Sequence, residues 1–392
     1  MSVFIADLGI VNALGTGKTA VLNGLLGEDQ SGMLPTGALL SGRESRVGSV
    51  TEPLEALSEE FSQYDCRNNR LLVAAVTQIE DQIAGLRSGY GPDRIGVLIG
   101  TSTSGIAAVE AAMDIHAAQG EMPADYHYRQ QEIGTAAVFL ANYLRLDGPR
   151  YTISTACSSS AKVFASAERL LSAGLCDALV VGGCDSLCKL TVNGFDALSS
   201  LSPGICNPFS ANRDGINIGE GAALFLLTRR EAPIRLAGVG ESSDAYHMSA
   251  PDPTGKGAEM AICQALDNAN VSPSAIGYIN LHGTATEKND EMESRVIERV
   301  FGAGTPCSST KSQIGHTLGA AGAQEIGLCC LLLDERIEGR RLPRHLWDGE
   351  ADAKLPSIGL TQADSCWERD MFLSNSFAFG GSNVGVIIGR SH

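Results

Sequence analysis

One cysteine in this chain stands where a nucleophile would be built. The run Thr155-Ala156-Cys157-Ser158-Ser159-Ser160 follows an extended segment, GPRYTIST, and opens a helical pattern. A thiol at a helix start is drawn toward thiolate by the positive end of the helix dipole and by free backbone N–H groups. Small neighbours leave its sulfur open to a bulky acyl group. Read alone, the segment describes a buried structural thiol at least as well, because free cysteine is among the most buried residue types. The choice turns on what accompanies it.

Three further segments offer company. His282 ends the apolar run Tyr278–Leu281 and opens His282-Gly283-Thr284-Ala285-Thr286. A polar ring at the end of a buried strand, followed by a loop of small residues, is where α/β folds place active sites, although hydrogen bonds to the threonines would equally make it a loop cap. Lys311 and His316 share a glycine-rich approach to an apolar helix, KSQIGHTLGAAG. Burying both is costly unless polar partners satisfy them, which argues for a built site. Phe377 and Phe379 lie in NSFAFGGSN, where glycines after an aromatic allow a hinge. Those rings either cover an apolar pocket or pack as ordinary core.

The elements that must hold these residues are those of an α/β protein. Strand-like runs at Val3–Ala6, Ile95–Ile99, Ala178–Val181, Ala222–Leu227, Ile276–Leu281 and Val384–Ile388 alternate with helical patterns. The helices are expected at Arg70–Leu86, Ser158–Ser172, Gly257–Asn270, Asp290–Phe301 and Gly319–Leu333. At 392 residues the chain exceeds the size at which single cores stop growing, about 250–300 residues, so two halves are expected. A break at Glu231-Ala232-Pro233 divides residues 1–232, with the cysteine, from residues 233–392, with both histidines.

Composition narrows the class. A net charge of −16 disfavours nucleic-acid and anionic-membrane surfaces. No apolar run approaches the ~18 residues of a membrane span, and the N-terminus lacks the basic region and apolar core of a signal peptide. Eleven cysteines, an odd number without CxxC pairs in a chain too large to need staples, read as reduced thiols of a cytoplasmic protein. Gly15-Thr16-Gly17-Lys18-Thr19 resembles the end of a phosphate-binding loop, but that pattern needs glycine where Asn12 stands.

In order along nearly the whole chain, LGIVNALG, TACSSS, PFSANRDGINIGEGAALFLL, HGTATEKND, KSQIGHTLGAAG and NSFAFGGSN resemble the β-ketoacyl-acyl-carrier-protein synthases, the elongating condensing enzymes of fatty-acid and polyketide synthesis. The resemblance implies a thiolase-like fold, two related halves in five layers, α-β-α-β-α, with the site between them. It assigns Cys157 as acyl-accepting nucleophile, His282 and His316 as catalytic histidines, Lys311 as the lysine ordering the site, and Glu293 as that lysine's acidic partner. Phe379 becomes a gate whose backbone N–H joins that of Cys157 in an oxyanion hole, and Phe377 a pocket residue. No metal or other cofactor is implied.

By the same resemblance, acyl and malonyl thioesters arrive on an acyl carrier protein, and the enzyme works as a homodimer or with a chain-length-factor-like subunit. Arg67 and Arg70 fall where relatives carry basic residues for carrier docking; a solvated helix end is the plainer reading. A thiolase would use a second cysteine where Phe379 stands, initiating synthases have asparagine for the second histidine, and chain-length factors lack the nucleophile. Non-decarboxylative thiolase chemistry and a partner-dependent ketosynthase subunit are the alternatives. Ala285 replaces a glycine frequent in relatives, and Ser158-Ser159-Ser160 is closer to the polyketide form.

Overall fold

Wholly buried runs such as Ile95–Gly100 and Ala178–Asp185 cannot present a polar face, so they form central strands covered on both sides. The computed structural model, which describes residues 2–334 and 338–391, shows how they are arranged. Residues up to 232 form β1 (Val3–Asn12), β2 (Gly15–Thr16), α1 (Lys18–Leu26), β3 (Met33–Pro35), β4 (Arg46–Gly48), α2 (Arg67–Val76), α3 (Glu80–Tyr90), β5 (Ile95–Gly100), α4 (Ile106–Gln119), α5 (Thr135–Leu144), β6 (Arg150–Ile153), α6 (Ser159–Ser172), β7 (Ala178–Asp185), α7 (Lys189–Ala197), β8 (Ile218–Gly219) and β9 (Gly221–Thr228). After them come β10 (Ile234–Ser243), α8 (Lys256–Ala269), β11 (Ile276–Asn280), α9 (Glu287–Phe301), β12 (Pro306–Ser308), the single-turn α10 (Lys311–Ile314), α11 (Ala321–Leu332), β13 (Gly359–Leu360), β14 (Met371–Phe377) and β15 (Ser382–Arg390).

The pairing repeats. In the first set the order β1-β9-β7-β5-β6 runs antiparallel, antiparallel, parallel, parallel. In the second, β10-β15-β14-β11-β12 does the same, and β13 extends it. Val3–Ile5 of β1 pair with Ile234–Leu236 of β10, which joins the two sets, with β2 on β1, into one twelve-stranded sheet, while β3, β4 and β8 form a small sheet of their own. Helices α6 and α11 pack on each other between the two parts of the sheet. Helices α2 and α5 cover the outer face of the first part, and α8 and α9 that of the second. These are the five layers of a thiolase-like fold. Phe164 of α6 meets Phe225 of β9 edge-on at 5.0 Å, a contact worth roughly 0.5–1.5 kcal/mol beyond its burial.

One expected helix is two. The span Arg70–Leu86 is broken at Thr77–Ile79, because Gln78 turns its side chain to β1, donating to the Ile10 carbonyl at 3.0 Å and accepting the Ile10 N–H at 3.0 Å. The Thr77 hydroxyl also bonds back to the Val73 carbonyl, which weakens helix continuation. Lys18 of the set-aside loop pairs with Asp7 at 2.5 Å. Among the described residues no helix is long and apolar enough to cross a membrane, and all eleven cysteines are free thiols.

Candidate active site

The turn between β6 and α6 is built by its own serines. Ala156 adopts φ +52, a left-handed conformation that throws the next residue, Cys157, out of the strand direction. Ser159 Oγ accepts the Thr155 N–H at 2.8 Å and donates to the Ala156 carbonyl at 2.6 Å, closing the turn. Ser158 Oγ reaches the Thr155 carbonyl and Ser382 Oγ, at 2.9 and 3.0 Å. Ser160 Oγ accepts the Ala323 N–H at 2.9 Å, tying α6 to α11. All three serines are thereby structural locks on the cysteine.

His282 lies just beyond β11 and His316 between α10 and α11, and both converge on that sulfur. His316 Nε2 is 3.0 Å from Cys157 Sγ, and the two imidazoles meet edge to face at 5.2 Å. The close approach depends on glycine. Gly219 crosses directly over this segment, donating its N–H to the His316 carbonyl at 2.9 Å, and a Cβ on Gly219 would sit 2.2 Å from the Ile314 carbonyl oxygen. Neither histidine Nδ1 bonds a described residue, and the Cys157 thiol at His316 Nε2 places that ring's proton on Nδ1 when the thiol donates.

Lys311 is fully buried and its ammonium is shared between the His282 carbonyl and the Glu325 carboxylate. Glu293, read as the partner of this lysine, does other work. It accepts the His282 and Gly283 N–H groups at 2.8 and 2.7 Å and the Asn375 amide at 3.3 Å, orienting the turn that carries His282. Its two oxygens are spent on the end of β11, so the ammonium takes the carboxylate from the first turn of α11 instead. Burial pushes both acids up to about 7, against the backbone amides at Glu293 and against Lys311 at Glu325.

The electrostatics run opposite to the expectation of a ready thiolate. Burial pushes the Cys157 thiol up to about 11, although the Lys311 charge and the N–H groups of Phe379 and Cys157 itself pull it down. A helix start does not outweigh enclosure in apolar surroundings. Burial, followed by Lys311, holds both imidazoles well below 6.5, and His316 depresses His282 further. The resting set is therefore a thiol beside two neutral rings. Their donor atoms lie within 4.8 Å of one another, close enough for a soft metal. The Lys311 charge that depresses both rings opposes a second cation there, so these residues fit a metal poorly.

A cavity of about 460 Å³ opens above the sulfur, lined among others by Phe195, Ile216, Thr284, Thr286, Phe377 and Phe379. Phe377 is buried 6.0 Å from the His282 ring. Phe379 stacks on Phe195 of α7 with ring centroids 5.5 Å apart, so the lid has two rings rather than one. Nothing in KLTVNGFDA distinguishes Phe195 from a core residue; only the fold brings it to Phe379. The Phe379 loop is tied at Gly380, whose N–H donates to the Met248 carbonyl at 2.8 Å, and at Gly381, whose carbonyl accepts the Asp244 N–H at 2.8 Å.

Arg67 and Arg70 are not free surface cations. Arg67 forms a two-pronged pair with the fully buried Glu220, at 2.7 and 2.5 Å, and also donates to the Val50 carbonyl. Arg70 grips Asp65 at 2.6 and 2.7 Å. Each charge is paired within the chain, while the two side chains keep 39% and 34% of their surface exposed.

Residues 48–232 match the N-terminal domain model of the β-ketoacyl synthases, and residues 234–341 match the C-terminal one. The chain is 34% identical to 3-oxoacyl-[acyl-carrier-protein] synthase 2 of Rhizobium meliloti (strain 1021), over 78% of this chain and 77% of that protein. It is 30% identical to nodulation protein E of the same organism, over 97% of each. A ketosynthase from Xenorhabdus doucetiae, solved in complex with its chain length factor, is 47% identical with a TM-score of 0.96, over 100% of this chain and 98% of that one.

Proposed function

The chain belongs to the β-ketoacyl synthase family and is a condensing ketosynthase of fatty-acid or polyketide synthesis, and from that premise we propose that Cys157, His282 and His316 carry out its two half-reactions. The observation that carries the assignment is the 3.0 Å approach of His316 Nε2 to Cys157 Sγ beside a cavity lined by Phe379.

In the first half-reaction the sulfur attacks an acyl thioester carried by an acyl carrier protein. A neutral imidazole is needed to take the thiol proton, because a thiol held near 11 supplies little thiolate. His316 takes it and returns it to the departing carrier thiol. The N–H groups of Cys157 and Phe379, both directed at the sulfur, receive the negative oxygen of the tetrahedral intermediate.

In the second half-reaction a malonyl carrier thioester loses CO2, and the bond pair becomes an enolate. Once Cys157 is acylated it has no S–H to donate to His316 Nε2, and both neutral rings can present an N–H to that oxygen as charge develops. The enolate carbon attacks the acyl thioester on Cys157, forming the new C–C bond and expelling the sulfur, which regains a proton from solvent. Lys311 and Glu293 act through position, the first by its field on the rings and the second through the His282–Gly283 backbone. Phe195 and Phe379 keep water from the enolate.

A chain-length-factor-like partner fits the remaining surface. Strand β6 ends the sheet, and α4, with the apolar sequence IAAVEAAMDIHAAQ, buries only Ala112 of its fourteen residues while Met113 and Ile115 stay exposed. An uncovered helix carrying apolar residues and a free sheet edge each support a subunit contact. Eleven free thiols support a cytoplasmic setting. The deciding experiment incubates the protein, alone and with a chain-length-factor subunit, with acyl and malonyl carrier proteins. β-Ketoacyl product that vanishes with Cys157→Ala supports the reading; acetyl-coenzyme A exchange without malonate would replace it with thiolase chemistry.

A further inference from the structure

His345 is as deeply buried as the two histidines of the cavity, yet it does not line that cavity. An imidazole sequestered from water is costly unless both nitrogens are partnered. Both are, by backbone groups whose roles are fixed. Nδ1 accepts the Ser309 N–H at 3.2 Å, and Nε2 faces the Pro208 carbonyl at 2.9 Å. A carbonyl only accepts and an amide N–H only donates, so the ring is neutral with its proton on Nε2. Burial keeps it so by holding its pKa down to about 4, against the Pro208 carbonyl. The rings of Phe209 and Trp347 flank it at 5.9 and 5.7 Å, and its own N–H is anchored on the Thr361 carbonyl.

Two segments of the site end on this ring, and a third reaches it through Ser309. Ser309 Oγ donates to the Gly283 carbonyl at 2.7 Å, one residue past His282, and accepts the Lys311 N–H at 3.3 Å. Pro208 opens the loop whose Arg213 and Ile216 line the cavity. Its neighbour Phe209 sits at φ +64, strained for a residue with a side chain, and so needs external ties.

We propose that His345 is a positioning residue of the condensing site: as a single fixed tautomer it locks the Ser309–Lys311 turn, and through Ser309 the His282–Gly283 turn, to the Pro208–Arg213 wall of the cavity. The inference rests on the condensing reading above. The tie to Ser309 carries the effect, since it alone leads to His282 and Lys311.

Three substitutions separate the two hydrogen bonds. Asparagine places an acceptor where Nδ1 sits, glutamine reaches the Nε2 position with a donor, and leucine supplies neither. His345→Leu should lower the condensation kcat by about 10- to 100-fold, the range expected when catalytic groups are misplaced from a distance. The malonyl-carrier KM and the rate of Cys157 acylation should stay within about threefold. His345→Asn should recover most of the loss and His345→Gln little. Unchanged kcat in the leucine variant, or equal loss in the asparagine and leucine variants at a temperature where both are folded, overturns the proposal. Amide hydrogen exchange gives a second readout that needs no turnover. Peptides covering residues 278–286 and 305–313 should exchange faster in His345→Leu but not in His345→Asn, and no difference between them refutes the tie. A wild type that shows this exchange pattern without condensing would sink the condensing reading while leaving the positioning role standing.

Discussion

His316 Nε2 rests 3.0 Å from Cys157 Sγ, although 159 positions separate the two residues and they reach the site from different parts of the sheet. The distance makes the sulfur's chemistry depend on an imidazole rather than on the helix behind it. That distinction has measurable consequences.

A thiol held near 11 is protonated at every physiological pH, and its thiolate fraction rises tenfold per unit below that value. Alkylation of Cys157 by iodoacetamide, followed by peptide mapping, should therefore still be accelerating at pH 10. A plateau reached below pH 8 would mean that the helix dipole and Lys311 prevail over burial after all.

Both imidazoles have depressed pKa values, so they stay neutral as the pH falls through 6.5, where an ordinary histidine would gain a proton. The imidazole NMR signals of both should therefore not titrate between pH 7.5 and 6, and any change of condensation rate in that window should follow Glu293 and Glu325, the two acids pushed up to about 7. Replacing either His282 or His316 by alanine should cost ~10²–10³ in condensation, as removal of an oxyanion donor does elsewhere. Protonation of either imidazole centred at 6.5 would contradict the assigned charge state.

Lys311 and Glu325 form a buried ion pair, and removing one partner strands the other. Lys311→Ala should destabilise the fold by about 3–5 kcal/mol in urea unfolding. The double variant Lys311→Met with Glu325→Leu should recover most of that stability while condensation stays lost. Recovery of activity together with stability would reduce the lysine to a structural residue.

Gly219→Ala forces a methyl group against the Ile314 carbonyl, so the strand crossing that delivers His316 must separate. Loss of more than about 2 kcal/mol, with kcat falling further than KM changes, is the expected result. A variant with wild-type thermal midpoint and turnover would show that the crossing is looser than it looks.

Arg67→Ala leaves Glu220 buried without its cation. The thermal midpoint should fall, and carrier affinity of the folded protein should be unchanged. Weaker carrier binding with an unaltered midpoint would place Arg67 on the docking surface.

Much of this was readable in the chain because the chemistry sits in local motifs. The small residues around Cys157, the strand end before His282 and the glycines flanking His316 each announce a turn that exposes one side chain. What could not be read were relations across the fold. Glu325 lies within an apolar helix, and nothing in the sequence separates it from Glu293 as the partner of Lys311. Phe195 is placed only by Phe379, far along the chain, and His345 by Ser309 and Pro208, 36 and 137 positions away. The strand Met371–Phe377 is buried on both faces and α4 spreads its apolar residues all round, so neither shows a period that announces it. The split of Arg70–Leu86 depends on one glutamine finding β1. The pull toward thiolate at a helix start was a local inference that burial, a global property, reversed.

The short β1–β10 ladder, three residues against three, has a mechanical meaning. It places the nucleophile and its histidines on a single continuous slab of hydrogen-bonded strands. Opening the two parts like jaws to take substrates of different length would break that ladder and the α6–α11 packing beside it. What gives way more readily is the thin cover above, where Phe195 and Phe379 lean on one another.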